Sequence, residues 1–497
     1  MRPPQTLIRG GLVLIDNARF APVSLLVAGG RITDVIAGDG PEGVPEDVPD
    51  DVQVMDASGR IIIPGLVNGH THSHGALGRG GVADDATLET FLAGAAALNG
   101  QRRVDDLRLS AQLSAAEMIR KGCTACFDLS VELPGPSVAG LHAVAEAYHA
   151  AGMRAVVAPM ISDRTIYQAL PGLLAAYPQP MRDRLAAITL PPWQQTLAIC
   201  KAAFAGWPVP MDRVRPGIGP AIPLHCADDF LTACAHLAES DDMRLQTHLA
   251  ETRMQQVAAQ QRYGTTLTAH LDGLGVLSSR FSGAHGVWLS ADEAARLAAH
   301  GAGIVHNPLS NLRLGSGTAP LRALADAGVA LGVGTDAANT SDGQNMFEAM
   351  RLAATLSRAQ ADMPDQWITA LEAFRMATEG SAHILGLDRV GRIAQGWAAD
   401  LLFLDRDYCH YVPLRDVLSQ IVLAENGAAL REVMIDGRIV FADNRVRTLD
   451  EPALAAQARQ AAARLDAANL EARLMSDAAA VVIRSFCHAA CAAQPRH

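Results

Sequence analysis

The sequence predicts an α/β protein: a (β/α)8 barrel of the TIM type, carrying a small β-sandwich domain formed by the N- and C-terminal segments. Three observations lead there. Between residues 61 and 389, short apolar segments alternate with Ala/Leu-rich segments whose apolar residues recur at helical spacing. Eight strand candidates can be drawn there, the number a closed barrel with insertions needs. Residues 1–60 and 390–445 share another style, short β-branched strands separated by Gly- and Asp-containing turns, and are expected to pair into one domain. A doubly wound open sheet is the competing arrangement. No GxGxxG opens the first βα turn, which counts against its dinucleotide-binding form.

The elements follow in order. The N-terminal strands are "TLIRGGLVLID", "SLLVAGGRITDVIA" and "VQVMDASGRIII", with the Pro-, Gly- and acid-rich "GDGPEGVPEDVPDD" (38–51) as an exposed loop. The barrel strands are "IIIPGLVNGH", "CTACFDLS", "RAVVAPMI", "VRPGIGPAI", "RLQTHLA", "FSGAHGVWL", "GAGIVHNP" and "VALGVGTDA". Segments such as "DLRLSAQLSAAEMIRKG" and "ADEAARLAAHG" supply helices that stop near a glycine. Insertions at 80–106 and 160–213 belong at the barrel mouth. Ser341 and Asp342 are placed to cap a helix beginning near Gln344, or to face a ligand. Residues 446–497 read as a C-terminal helical extension.

Composition narrows the function classes. The 497 residues carry 41 basic and 52 acidic side chains, a net charge of −11. Such a surface repels phosphate backbones, so no nucleic-acid partner is expected. "MRPPQTLIRG" has no apolar run after its charge, and no stretch approaches the roughly 20 continuous apolar residues of a membrane span. A soluble cytoplasmic protein is the expectation. Cys123 and Cys126 form a CxxC pair inside a strand candidate, where buried inert thiols are the ordinary reading.

The chemistry concentrates at predicted strand ends. "PGLVNGHTHSHGALG" places His70, His72 and His74 at alternate positions where a strand runs out. Residues two apart on a strand share a face, so His70 and His72 point together into the mouth. Two adjacent imidazoles suggest a cation that holds them both, and neutral imidazole is the commonest protein metal ligand. His74 lies past the strand, as a mouth residue. His248 and Glu251 end strand five, His285 lies on strand six, and Asp336 ends strand eight. These are the positions where a barrel collects its active site.

This ordered set, HxH, a third His followed by xxGlu, a fourth His and a late Asp, resembles the amidohydrolase superfamily. It is most similar to the cytosine-deaminase-like and triazine-hydrolase-like branch. "PGLVNGHTH", "HLAET", "HNPLSNLRLGSG" and "GTDAANTSDGQNMFEAMRLA" carry the likeness. The resemblance implies His70, His72, His248 and Asp336 as metal ligands, Glu251 as proton shuttle and His285 as the residue that orients water or polarises substrate. Catalysis is thus assigned to Glu251, His285 and Asp336. His306 and Asn311 fall in the strand-seven HxPxSN segment, as substrate contacts or structural hydrogen-bonding groups. Arg79, in "GALGRGG", is a candidate for a substrate carboxylate or carbonyl. Asp128, Ser130, Glu132, Asp163 and Arg164 are weaker mouth candidates. Only Lys121 and Lys201 occur, and neither falls on strand four. One divalent ion is therefore expected rather than a lysine-bridged pair: Zn2+ first, with Fe2+ or Mn2+ suiting the same donors. The implied function is a metal-dependent hydrolytic deaminase of an amino-substituted pyrimidine, purine or s-triazine, releasing ammonia. Hydrolysis of another C–N or C–halogen bond is the alternative, and a non-catalytic scaffold a third. A small-molecule substrate and a homo-oligomer, a dimer or higher, are expected.

Overall fold

The computed structural model describes residues 5–17, 19–37 and 52–493. The predicted acidic loop at 38–51 lies outside them.

Both ends of the chain build one sheet, as expected. Its N-terminal strands are Gln5–Ile15, Arg19–Ala28, Arg31–Ala37, Val52–Asp56 and Arg60–Pro64; its C-terminal strands are Leu401–Asp405, Leu430–Ile435, Arg438–Ala442 and Arg445–Val446. The halves join where Arg60–Pro64 pairs antiparallel with Leu401–Asp405, from Leu401 opposite Pro64 to Asp405 opposite Arg60. This corrects one boundary. Ile61, Ile62 and Ile63 were expected to open the first barrel strand, but they belong to the small sheet, pairing also with Leu12 and Val13. Gly65 separates them from the barrel because its Cβ position is taken by Thr124; a side chain there would collide.

Beyond Gly65 the strands are parallel and named here β1 Leu66–His72, β2 Cys123–Ser130, β3 Arg154–Ile161, β4 Val214–Pro216 with Gly219–Pro220, β5 Leu245–Leu249, β6 Phe281–His285, β7 Gly303–His306, and β8 Ala330–Val333 with Asp336–Ala337. Each of β1 to β3 pairs with the next, and β5 to β8 do likewise. A bridge from Ile218 to Leu245 links β4 to β5, and Asp336 opposite Thr71 links β8 to β1. This order is consistent with a TIM barrel. Val67, Phe127, Val156, Ala158 and Val305 share one buried cluster with Ala382 and Leu385. Strands β3 and β7 are not neighbours, so their side chains can meet only across an enclosed interior. The break within β8 falls at Gly334, whose Cβ would lie 2.7 Å from the His70 carbonyl oxygen.

The helices that matter for the site are α1 Leu88–Ala93, α2 Ala95–Asn99, α3 Val104–Arg120, α4 Met346–Ser357, α5 Glu451–Ala468 and α6 Leu470–Ala492. The cap of α4 differs from expectation. Asn345, not Ser341 or Asp342, accepts from the Phe347 N–H. Ser341 donates to the Ala337 carbonyl, and Asp342 accepts from Arg313 at 3.1 Å. The C-terminal extension is two helices, broken at Asn469, whose amide donates to the Gly100 carbonyl. By length and composition alone α6 is apolar enough to cross a membrane, although Glu471, Arg473, Asp477 and Arg484 interrupt its apolar residues. On the body of the protein, its Ala479 and Ile483 are fully buried.

Candidate metal centre and active site

Strand β1 brings His70 and His72 to one end of the barrel, β5 delivers His248, β6 His285 and β8 Asp336. All five are buried, between 0% and 8% exposed. His285 and Asp336 have φ of 78° and 59°. Left-handed backbone at residues other than glycine is costly and clusters where function over-determines geometry. Here it swings both side chains inward just as the strands end.

Each imidazole is held from behind. The Nδ1–H of His70 donates to Gln246 Oε1 at 2.8 Å, that of His72 to the Leu129 carbonyl at 2.7 Å, that of His248 to the Ala221 carbonyl, and that of His285 to Asn311 Oδ1 at 2.7 Å. With the ring proton at Nδ1, each neutral imidazole presents a bare Nε2 lone pair. These lone pairs converge. His72 Nε2 is 3.1 Å from His248 Nε2, a repulsive contact between two acceptors. Asp336 Oδ1 is 3.2 Å from His72 Nε2 and 3.5 Å from His70 Nε2. His70 Nε2 and His285 Nε2 are buried with no hydrogen-bond partner. A cation at the point where these atoms meet would satisfy all of them at once. Four donors at zinc bond lengths of about 2.0–2.1 Å stand roughly 3.3 Å apart in a tetrahedron, close to the spacings here. His70, His248, His285 and Asp336 also have ligand atoms all within 4.8 Å of one another. His72 falls outside that mutual set but lies closest to His248 and Asp336, so we treat the five as one centre.

Electrostatics agree. Burial holds His248 well below the usual imidazole range, His70 below it, and His285 down to about 4. His72 is raised, because Asp336 outweighs its burial. Asp336 is itself held well below the usual carboxylate range against its burial, by His70 and His72. Its Oδ2 accepts from the Ser310 and Thr340 hydroxyls. Glu251 is the opposite case. Burial, with the charges of Asp336 and Glu89, pushes its carboxyl well above the usual range, which favours the protonated form. Its Oε2 has no hydrogen-bond partner and lies 3.6 Å from His285 Nε2.

A cavity of about 490 Å3 opens on this centre; His72, His74, His248, Glu251 and Asp336 line it. His74 is on the wall, its Nδ1 accepting from the Val131 N–H at 3.3 Å. Three residues expected to touch substrate are elsewhere. Arg79 forms an ion pair with Glu117 and donates to the Ala338 carbonyl, away from the cavity lining. Asn311 sits behind His285 as its hydrogen-bond acceptor, and His306 is fully buried without lining the cavity. Of the weaker candidates, Arg164 lines the cavity, whereas Asp128 accepts from the Ser73 N–H beneath it. Gln246, Ser310 and Thr340 escaped sequence reasoning. Neutral polar residues in strands and loops carry no spacing signal; only tertiary contact shows what they orient.

The model of the Amidohydrolase family matches residues 61–440. A 5-methylthioadenosine/S-adenosylhomocysteine deaminase of Haloarcula marismortui is 32% identical over 93% of this chain and 98% of its own length. A 5'-deoxyadenosine deaminase of Methanothermobacter thermautotrophicus is 32% identical over 92% of this chain and 95% of its own. Among solved structures, a zinc-bound adenosine deaminase from Xanthomonas campestris superposes with a TM-score of 0.80 at 28% identity, over 93% of this chain and 99% of that one. Atrazine chlorohydrolase from Arthrobacter aurescens TC1, complexed with zinc, gives 0.79 at 25% identity, over 92% and 100%. This chain belongs to the Amidohydrolase family and is a metal-dependent hydrolase of C–N bonds.

Proposed function

We propose that this protein removes the amino group of an aminopurine by hydrolysis, releasing ammonia, with one Zn2+ as cofactor. The observation that carries the reading is the inward convergence of imidazole Nε2 lone pairs on Asp336, beside the buried, unpartnered Oε2 of Glu251, a residue that lines the cavity. The relatives named above support the purine ring, since their names place adenosine derivatives as substrates. In this reading His70, His72, His248 and Asp336 hold the ion. A bound divalent ion supplies hydroxide at neutral pH by lowering the pKa of water to roughly 7.

The chain's own groups do the rest. His285 has given its Nδ1–H to Asn311, so its Nε2 accepts an O–H from water and aims the oxygen at the amino-bearing carbon. Glu251 holds a proton at its carboxyl and delivers it to the ring nitrogen as the C–O bond forms. It then takes the proton of the newly added hydroxyl and passes it to the exocyclic nitrogen, the C–N bond breaks as the C=O bond forms, and ammonia leaves. His74, with Nδ1 occupied by Val131, turns Nε2–H toward the substrate as a donor.

The fold reading extends in the same way. The small sheet closes as a sandwich, supported by a cluster that joins Ile8 and Leu25 to Leu401 and Phe403. The chain then divides into that domain (1–60 with 390–445, shifted to Gly65 at its inner edge), the barrel and the helical extension from 446.

The test is ammonia release by the zinc-loaded protein from adenine, adenosine and S-substituted adenosines, with the oxopurine followed by ultraviolet absorbance. Turnover that disappears on chelation and returns with zinc is expected. A protein holding one zinc per chain that releases no ammonia from any aminopurine would overturn the proposal.

A further inference from the structure

The C-terminal helix α6 forms part of the cavity wall. Ala472, Met475 and Ser476 line the cavity on the side facing α1 and α2. The helix is fixed there at three points. The Ser476 hydroxyl donates to the Ala93 carbonyl at 3.0 Å, the Tyr177 hydroxyl donates to the Ala479 carbonyl at 3.1 Å, and Asn469 at the helix start donates to the Gly100 carbonyl at 2.9 Å. Phe91, Leu92, Ile188 and Leu190 line the same cavity. The polar groups in this region are largely consumed by the protein. Ser476 and Asn469 serve the backbone of α1 and α2, and Arg164 donates to the Cys226 carbonyl. The Asn99 amide oxygen is a buried acceptor without a partner, and Ser162 and Thr189 add hydroxyls to the lining.

A cavity of about 490 Å3 has room for more than a purine ring. A hydroxyl-rich or charged substituent would lose its hydration against this wall with little in return. We infer that α6 is the specificity element of the site: Ala472 and Met475 select an aminated heterocycle bearing an apolar substituent, packed between α6 and α1. The inference rests on the proposed deamination for the identity of the ring.

The experiment uses the full-length zinc-loaded protein and a series of 9-alkyladenines from methyl to hexyl. Affinity by calorimetry and kcat/KM by ammonia release are both followed. Each methylene buried against the wall is expected to tighten binding about fourfold. Ala472→Phe, which fills the wall, should reduce the hexyl-to-methyl ratio at least tenfold, and Met475→Ala should reduce it less. Leu474→Ala, on the exposed face of the same helix, should keep the native ratio. A native protein without chain-length dependence, or variants at 472 and 475 that both keep the native ratio, would overturn the inference. Ammonia release without chain-length dependence discards the wall and keeps the deaminase. Chain-length-dependent binding without ammonia does the reverse.

Discussion

Replacing Glu251 with Gln isolates the proton carrier from the rest of the centre. The side chain is 1% exposed, and its Oε2 makes no hydrogen bond that the amide would break. The substitution is nearly isosteric, and burial with the charges of Asp336 and Glu89 already holds the native carboxyl well above the usual range, so a neutral amide suits the site. The unfolded native side chain ionises at pH 7 and the amide does not, so the variant should be no less stable than the native protein there. Catalysis should not escape. A positioned general acid and base contributes about 10²- to 10⁴-fold, or about 3–5 kcal/mol of barrier. The variant should hold zinc at the native ratio by elemental analysis, unfold in urea at or above the native midpoint, and lose at least a hundredfold in kcat. The pH arm has a definite sign. A carboxyl whose folded pKa is raised contributes its stability below the unfolded value and loses it as pH rises through the folded one. The native protein should therefore weaken relative to Glu251→Gln in alkaline solution. A variant with full zinc and kcat within tenfold of native would remove Glu251 from the mechanism.

Three further outcomes are expected. His70→Ala and His72→Ala should each lose bound zinc on dialysis, because each deletes a converging lone pair; native occupancy in both would exclude the HxH pair from the centre. Arg154, 7% exposed, pairs with Asp400 at 2.8 Å and with Asp436 at 3.0 Å across the junction of barrel and small sheet. Arg154→Ala leaves Asp400 buried and unpaired and should cost about 3–5 kcal/mol in urea unfolding; a loss under about 1 kcal/mol would refute that role. His225 is pushed down to about 4 by burial, with Arg262 and Arg164 adding to the effect. A depressed histidine contributes stability present above its unfolded value near 6.5 and lost as pH falls toward 4, at most about 3 kcal/mol in total. His225→Gln should flatten that part of the stability curve, and a native-minus-variant difference that stays constant from pH 7 to 4 would contradict it.

How far the sequence reaches depends on the range of the interaction. Strand alternation and helical spacing are local, so the order of barrel strands and the pairing of the chain's two ends were legible in the residues themselves. So were His70, His72, His248, Glu251, His285 and Asp336, because metal and proton chemistry demands rare residue types and each stands where a strand stops. The exact strand boundary was not: Ile61–Ile63 and Leu66–Val67 are apolar on both sides of Pro64 and Gly65, and the steric requirement at Gly65 divides them. Arg79 reads as a substrate cation until the fold places Glu117 beside it, and Asn311 as a substrate contact until His285 is found against its amide oxygen. The orienting carbonyls of Leu129 and Ala221 are backbone atoms, invisible to residue identity. The use of α6 as a cavity wall was likewise decided by tertiary packing, since an apolar helix states only that it must be covered, and the fold alone determines what it covers.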